Sequence, residues 1–215
     1  MKQLLSLLAI LLLLSACNKK KEAPLFREIK SAASGLTFNN EIKENEQLNM
    51  INYQYLYNGG GVGIGDFNND GLQDLFISCL NYDNKLFMNR GRIGNSKKFK
   101  FENIADKAGV ILPKQSFPAI VFDYNNDGLE DIFCTSFPSE KLSHVGEEAA
   151  LELLGKPSTA EKSRLFKNNG NETFTDVSKE MNLWKQTFAM GFSFGDIDND
   201  GWLDIYAGTG AFEFT

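Results

Sequence analysis

The chain has 215 residues, of which 42% are hydrophobic and 12% aromatic, with 18 phenylalanines among them. This composition is sufficient for one domain with a packed β core. The net charge of −6 and the pI near 5.0 exclude the basic surface of a nucleic-acid-binding protein, so we expect no nucleic-acid partner.

Residues 1–16 are typical of an export signal. Lys2 precedes an apolar run at 4–14, which is too short to span a bilayer comfortably, and small residues then lead to Cys17. This ending resembles the bacterial lipobox, which implies cleavage before Cys17, diacylglycerol on its sulfur and a stable membrane anchor. Residues 17–24 then form a polar tether. We predict an exported protein that is lipid-anchored to the bacterial envelope, with the outer membrane favoured; an ordinary secretory peptide is the alternative.

Three segments repeat one polar pattern, at residues 66–74, 123–131 and 196–204. Each carries Asp or Asn at positions 1, 3 and 5, Gly at position 6 and Asp at position 9. These oxygens can converge on one hard cation, position 7 can add its backbone carbonyl, and Gly permits the sharp turn. Calcium is favoured over magnesium because it tolerates many oxygen ligands in irregular geometry, so we predict about three Ca²⁺ sites. The predicted ligands are Asp66, Asn68, Asp70, Leu72, Asp74, Asp123, Asn125, Asp127, Leu129, Asp131, Asp196, Asp198, Asp200, Trp202 and Asp204.

Two other interpretations of these loops are weaker. Ordinary Asn-Asp-Gly surface turns would not need an Asp at position 9 in all three copies, nor such crowding of negative charge. An EF-hand needs a Glu at position 12 and a helix on each side. Position 12 is occupied here by Ile77, Cys134 and Ala207.

Strand signals flank every loop. Apolar residues alternate before it, and a short run rich in aromatic and branched residues follows it. These signals lie at 62–64, 75–77, 119–121, 132–134, 192–194 and 205–207. Each loop is therefore predicted to join two β-strands.

Two further motifs recur outside the loops. Leu-Phe-X-Asn stands at 86–89 and 165–168, and Phe-X-X-Ile or Phe-X-X-Val stands at 26–29, 101–104 and 174–177. One unit thus contains four short strands and repeats after 75 and then 73 residues, which is typical of a β-propeller blade. A blade cannot bury both faces alone, so neighbouring blades must stack on it. A parallel β-solenoid, with its much shorter repeat, is the second choice.

The segments 59–71, 164–177 and 191–201 resemble the FG-GAP (VCBS) repeats of integrin-α-type β-propellers. The closest subgroup is similar to the bacterial ASPIC/UnbV-type proteins related to cartilage acidic protein. The resemblance covers about residues 26–215, and it implies a seven-bladed propeller with calcium in several loops between first and second strands. One departure is Phe122, which replaces the glycine that precedes the other two loops.

From Gly61 onwards we count two full blades and the first half of a third. The motif at 26–29 matches the last strand of a unit, so it is predicted to close the final blade, as N-terminal strands often do in propellers. The chain is therefore expected to be the N-terminal piece of a longer propeller, with a complete protein that pairs with another chain as the alternative. Residues 136–163 are predicted to be an insertion with a short helix.

No catalytic constellation stands out. His144 is the only histidine and lies in the insertion, and Cys79 and Cys134 are expected to be buried free thiols rather than a disulfide. Trp184 and Trp202 are expected to pack between blades, with sugar stacking as the alternative.

The predicted function is accordingly a protein- or glycan-binding or adhesion module, not an enzyme, with structural calcium. The alternatives are a propeller domain of a polysaccharide lyase or hydrolase and an accessory lipoprotein of an outer-membrane nutrient importer.

Overall fold

A computed structural model of the chain shows two units, 1–30 and 31–215. The residues that the structure describes are 24–46, 49–51, 56–79, 82–94, 99–112, 116–136, 163–183 and 189–209. Within the first unit, residues 24–30 form no helix or strand. The described helices and strands all belong to the second unit.

The second unit is built of short antiparallel strands. Its elements are α1 (Ser31–Ser34), β1 (Val62–Gly65), β2 (Asp74–Ile77), β3 (Lys85–Arg92), β4 (Phe99–Asn103), α2 (Ala105–Ala108), β5 (Ser116–Phe122), β6 (Asp131–Ser136), β7 (Arg164–Asn168), β8 (Phe174–Asp176), β9 (Ala189–Gly195) and β10 (Asp204–Thr209). Within the described ranges, no helix has the length and apolar character needed to cross a bilayer.

The strands form three sheets in chain order. Blade one is β1-β2-β3-β4, blade two is β5-β6-β7-β8, and the third sheet pairs β9 with β10. All neighbouring strands are antiparallel. The predicted unit of strand, loop, strand, connection, strand, hairpin and strand is therefore confirmed in both four-stranded blades.

The predicted closing strand at 26–29 stays a prediction, because the described strands include no final blade for it to complete. These residues form no strand, and Phe26 and Ile29 are exposed. A strand needs a neighbour that exchanges backbone hydrogen bonds with it, and the described strand pairs involve only β1 to β10. The motif alone therefore does not define a strand. Most of the predicted insertion, 137–162, lies outside the described residues, and residue 136 is the last residue of β6.

Blade two buries both of its faces because its strands alternate apolar side chains. On β6, Ile132 and Cys134 belong to a core cluster with blade-one residues such as Phe76 and Met88. Between them, Phe133 belongs to a second cluster with Phe192 and other residues of β9. Adjacent side chains of a strand point to opposite faces, so one strand contributes to both cores. The predicted stacking of neighbouring blades is thus present on both sides of blade two.

Blades one and two approach most closely where β1 faces β5. A Cβ atom on Gly65 would lie 2.7 Å from Val121 Cγ1 and would also contact the Glu130 carboxylate. In the third sheet, no atom of the described residues would lie within 4 Å of a Cβ atom on Gly195. Phe122 fills the same position before the second loop and packs on Phe194 with ring centroids 4.2 Å apart. The departure from glycine at this position therefore follows from what the neighbouring blade offers.

Gly65→Ala is expected to lower the free energy of unfolding by about 1–3 kcal/mol, because the new methyl group crowds the Glu130 carboxylate and overpacks the contact with Val121. Gly195→Ala is the matched control and should change it by less than about 0.5 kcal/mol. Urea unfolding measures both values. The double variant Gly65→Ala/Val121→Ala should recover part of the loss, and an equal effect of the two single variants would contradict the close approach.

An ion cluster also joins blades one and two. Arg90 on β3 forms a bidentate pair with Glu172 in the β7–β8 hairpin, with the second nitrogen 3.0 Å from Oε2, and Lys107 Nζ lies 3.3 Å from the same oxygen. The Arg90 guanidinium lowers the pKa of Glu172 to about 2. Because the cluster is partly solvated, its contribution to stability is about 1 kcal/mol or less. It links β3 and α2 to the β7–β8 hairpin of blade two.

Candidate metal centres

Each polar loop connects the first and second strands of its sheet. The loops lie between β1 and β2, between β5 and β6, and between β9 and β10. At the base of each loop the position-9 Asp pairs with the residue that precedes position 1, as Gly65 pairs with Asp74. The strand pairing therefore brings positions 1 and 9 together without help from any other part of the chain.

The position-1 carboxylate closes each loop on itself. Asp66 accepts hydrogen bonds from the backbone N–H groups of Asp70 at 3.0 Å and Gly71 at 2.7 Å. Asp123 and Asp196 accept the equivalent pairs at 2.8 to 3.1 Å. The glycine at position 6 has a left-handed backbone conformation in all three loops, with φ of +83° at Gly71, +81° at Gly128 and +88° at Gly201. Glycine adopts this conformation without steric cost, which explains its place at position 6.

Positions 3 and 5 are turned toward one another. In loop one, Asp70 Oδ1 accepts from Leu72 N at 2.8 Å, and the Asn68 amide donates to Asp70 Oδ2 at 3.0 Å. Loop two repeats both contacts, with Asn125 Nδ2 2.8 Å from Asp127 Oδ2. The predicted ligand side chains at positions 1, 3 and 5 thus share one small turn.

In each complete blade, the position-9 Asp is the most buried of the predicted ligands. Asp74 and Asp131 are fully buried. Each accepts from the backbone N–H of its own position 2, at 3.0 and 3.1 Å, and from a third-strand N–H, at 2.6 Å from Asn89 and 2.7 Å from Asn168. Burial raises the pKa of both groups to about 6, although these backbone donors act in the opposite direction. Both groups therefore anchor the loop to the sheet.

Loop three brings three carboxylates to one point. One oxygen each of Asp196, Asp198 and Asp204 lies within 4.8 Å of the others. Asp200 uses Oδ1 to accept from Trp202 N at 2.8 Å. A carboxylate has about four lone-pair directions, so these hydrogen bonds leave capacity for a cation. The donor set is composed of hard oxygens, which fits calcium.

Sequence reasoning missed the role of position 4. Asn69, Asn126 and Asn199 have φ of 55°, 55° and 59°, a left-handed conformation that asparagine tolerates better than most residues. The amide of Asn69 donates to the carbonyl of Gly128 in the next loop at 3.1 Å, and that of Asn126 donates to Gly201 at 2.9 Å. The signal was present in the sequence, because asparagine stands at position 4 in all three copies.

The other candidate residues have separate positions. Cys79 and Cys134 are buried and free, as predicted. Trp202 is 53% exposed among the described residues, and its expected packing between blades stays a prediction because no sheet beyond β9–β10 is described. Cys17, His144 and Trp184 lie outside the described residues.

Comparison with known proteins assigns the repeat. A search of curated proteins finds no match to the chain. The sequence model of the FG-GAP-like repeat matches residues 66–134 and 151–207, more than half of the chain. The matched segments contain the three loops and most of the strands that flank them, except β1, and these strands form antiparallel blades stacked face to face. The chain therefore belongs to the FG-GAP-like repeat family.

Proposed function

We propose that the chain is a calcium-binding β-propeller module of the bacterial cell envelope that binds a protein or a glycan, with calcium in a structural role. One observation carries the calcium part: the carboxylates of Asp196, Asp198 and Asp204 converge within 4.8 Å. Three negative groups at this distance repel one another unless a cation neutralises them. Loops one and two have the same backbone hydrogen bonds with asparagine at position 3.

The buried anchors support the same proposal. An ionised carboxylate in a buried position is disfavoured, which is why the pKa of Asp74 and Asp131 is raised to about 6. A divalent cation in the loop would favour the ionised form at neutral pH. Its contribution would be to hold the first two strands of each blade in register, since the loop is the only covalent link between them.

The binding role rests on the family. FG-GAP-like repeats indicate a β-propeller, an architecture often used for binding or adhesion. Function must nonetheless be argued from sites, and fold alone does not define the ligand. Trp202, half exposed in loop three, is a candidate contact because its ring can stack on a sugar or pack on a protein.

The cellular location and the protein subgroup are proposed from the sequence alone. The export signal and the lipid anchor at Cys17 would place the module on the envelope membrane, with the outer membrane favoured. The subgroup similar to ASPIC/UnbV-type proteins and the seven-bladed total are proposed in the same way. A propeller domain of a lyase or hydrolase would bind a carbohydrate, whereas an importer accessory would bind a nutrient importer. Identification of the binding partner would distinguish these two alternatives.

Calcium is expected to raise the thermal stability of the chain. At a free concentration 100 times the dissociation constant, one site contributes about 2.7 kcal/mol, because the ion binds the folded loop and not the unfolded chain. Unfolding is measured in chelator, in calcium and in magnesium, with magnesium expected to restore less stability. Asp70→Ala should reduce the calcium stoichiometry by one, whereas Glu180→Gln, an exposed acid outside the loops, should leave it unchanged. Identical melting curves in all three conditions would refute structural calcium.

A further inference from the structure

The three loops form a connected series. Each contact runs from position 4 of one loop to position 6 of the next, from Asn69 to Gly128 O and from Asn126 to Gly201 O. The residues joined by these hydrogen bonds are 59 and 75 positions apart in the chain. Because the same contact occurs at two blade interfaces, it is a regular feature of the repeat and is not confined to one pair of loops.

The accepting carbonyl belongs to a peptide unit that orients the neighbouring site. The Gly128 carbonyl accepts from Asn69, and the N–H on the other side of the same peptide bond, that of Leu129, donates to Asp127 Oδ1 at 3.0 Å. In loop three, the Gly201–Trp202 peptide is held in the same way, with Trp202 N 2.8 Å from Asp200 Oδ1. The asparagine thus holds a peptide plane that directly positions a proposed ligand in the next loop.

The donating asparagine is in turn held by its own loop. Asp66 closes loop one by accepting the N–H groups of Asp70 and Gly71, the two residues that follow Asn69. A contact in the reverse direction also exists, since the Glu130 carboxylate of loop two accepts the N–H of Asp66. Ordering either loop therefore orders part of the other.

We propose that Asn69 and Asn126 are positioning residues that couple each cation loop to the next, so that calcium in one loop strengthens calcium binding in its neighbour. This inference rests on the proposed calcium binding. The coupling is reciprocal, because two sites linked through one equilibrium must change each other's affinity by the same factor. Each contact is solvent-exposed, so the coupling per hydrogen bond is expected to be about two- to fivefold in affinity.

The test uses the full chain, calcium ion as the probe and NMR of the three position-6 glycines. The N–H groups of Gly71, Gly128 and Gly201 each donate to the position-1 Asp of their own loop, so each reports on one site. Asn69→Gly preserves the left-handed conformation while it removes the amide. It should weaken calcium binding about two- to fivefold at both Gly71 and Gly128, as reciprocity requires, and leave the affinity at Gly201 nearly unchanged. Asn126→Gly should act in the same way on Gly128 and Gly201, with Gly71 nearly unchanged.

Asn199→Gly is the matched control. No described residue accepts a hydrogen bond from the Asn199 side chain, so this variant shows what glycine alone does to its own loop at Gly201. The coupling is overturned if Asn69→Gly weakens only its own loop, as a purely local effect of glycine would, or changes neither. If no glycine resonance responds to calcium in the unmodified chain, the proposed function fails as well. If the glycine resonances respond to calcium, but each loop binds calcium independently of the others, only the coupling is refuted.

Discussion

Asp131→Ala is expected to lower the free energy of unfolding by about 3 kcal/mol, even in the presence of chelator. The substitution leaves the backbone N–H groups of Tyr124 and Asn168 without the acceptors that they have at 3.1 and 2.7 Å. An unsatisfied buried donor costs about 1–3 kcal/mol, and the substitution creates one that is buried, at Asn168, and one that is partly buried, at Tyr124. Chemical denaturation in chelator measures the change without any contribution from a bound cation.

Two comparisons separate the anchor from the proposed ligand function. Asp127→Ala removes an exposed carboxylate of the same loop, so it should cost less than about 1 kcal/mol in chelator while it reduces the stabilisation by calcium. Asp131→Asn keeps one oxygen acceptor and removes the charge. Since burial raises the pKa of Asp131 to about 6, loss of the charge is partly favourable at neutral pH, and asparagine should be milder than alanine. Equal losses for Asp127→Ala and Asp131→Ala in chelator would contradict the anchoring role.

Phe133→Ala is expected to cost about 3–5 kcal/mol, because it opens a cavity between blade two and the third sheet. Phe133 is fully buried, and its ring centroid lies 4.8 Å from that of Phe192 and 5.6 Å from that of Phe194. The third sheet has two described strands, so it depends on this contact for a core. Equilibrium unfolding gives the change, and proteolysis within β9 and β10 should become faster than within blade one.

Tyr206→Ala is the control for this substitution. Tyr206 pairs with Ser193 across β9 and β10 and is 66% exposed, so it lies on the face opposite to Phe192 and Phe194. Its loss should change the free energy of unfolding by less than about 0.5 kcal/mol. If Tyr206→Ala were as damaging as Phe133→Ala, the assignment of the buried face of the third sheet would be wrong.

The strands and loops could be predicted because they depend on short-range patterns. Alternation of apolar residues with period two locates β1 and β6, and the hairpin geometry then brings positions 1 and 9 together. The motif at 26–29 shows that such a pattern also needs a partner strand before it forms a strand. It equals the motif at 101–104 and 174–177, yet it has no described partner strand and forms no strand.

The contacts between blades could not be predicted from one repeat. Gly65 and Phe122 occupy the same position, and only the neighbouring blade shows why one must be small and the other large. The hydrogen-bond acceptor of Asn69 could not be predicted from one repeat either. The left-handed conformation of Asn69 could be inferred from its place in the turn, but its acceptor, Gly128 O, becomes visible only when two loops lie side by side.

The amino-acid sequence by itself therefore determined the strands and the oxygen-bearing positions of each loop, since these depend on spacings within about ten residues. It also determined the repeating unit, since the same motifs recur after 75 and then 73 residues. The tertiary structure decided which face of each strand is buried, which position-9 aspartates serve as anchors, and which loops contact each other. These features depend on groups as distant as Asn168 and Phe67, which are 101 residues apart and meet only after the blades have stacked.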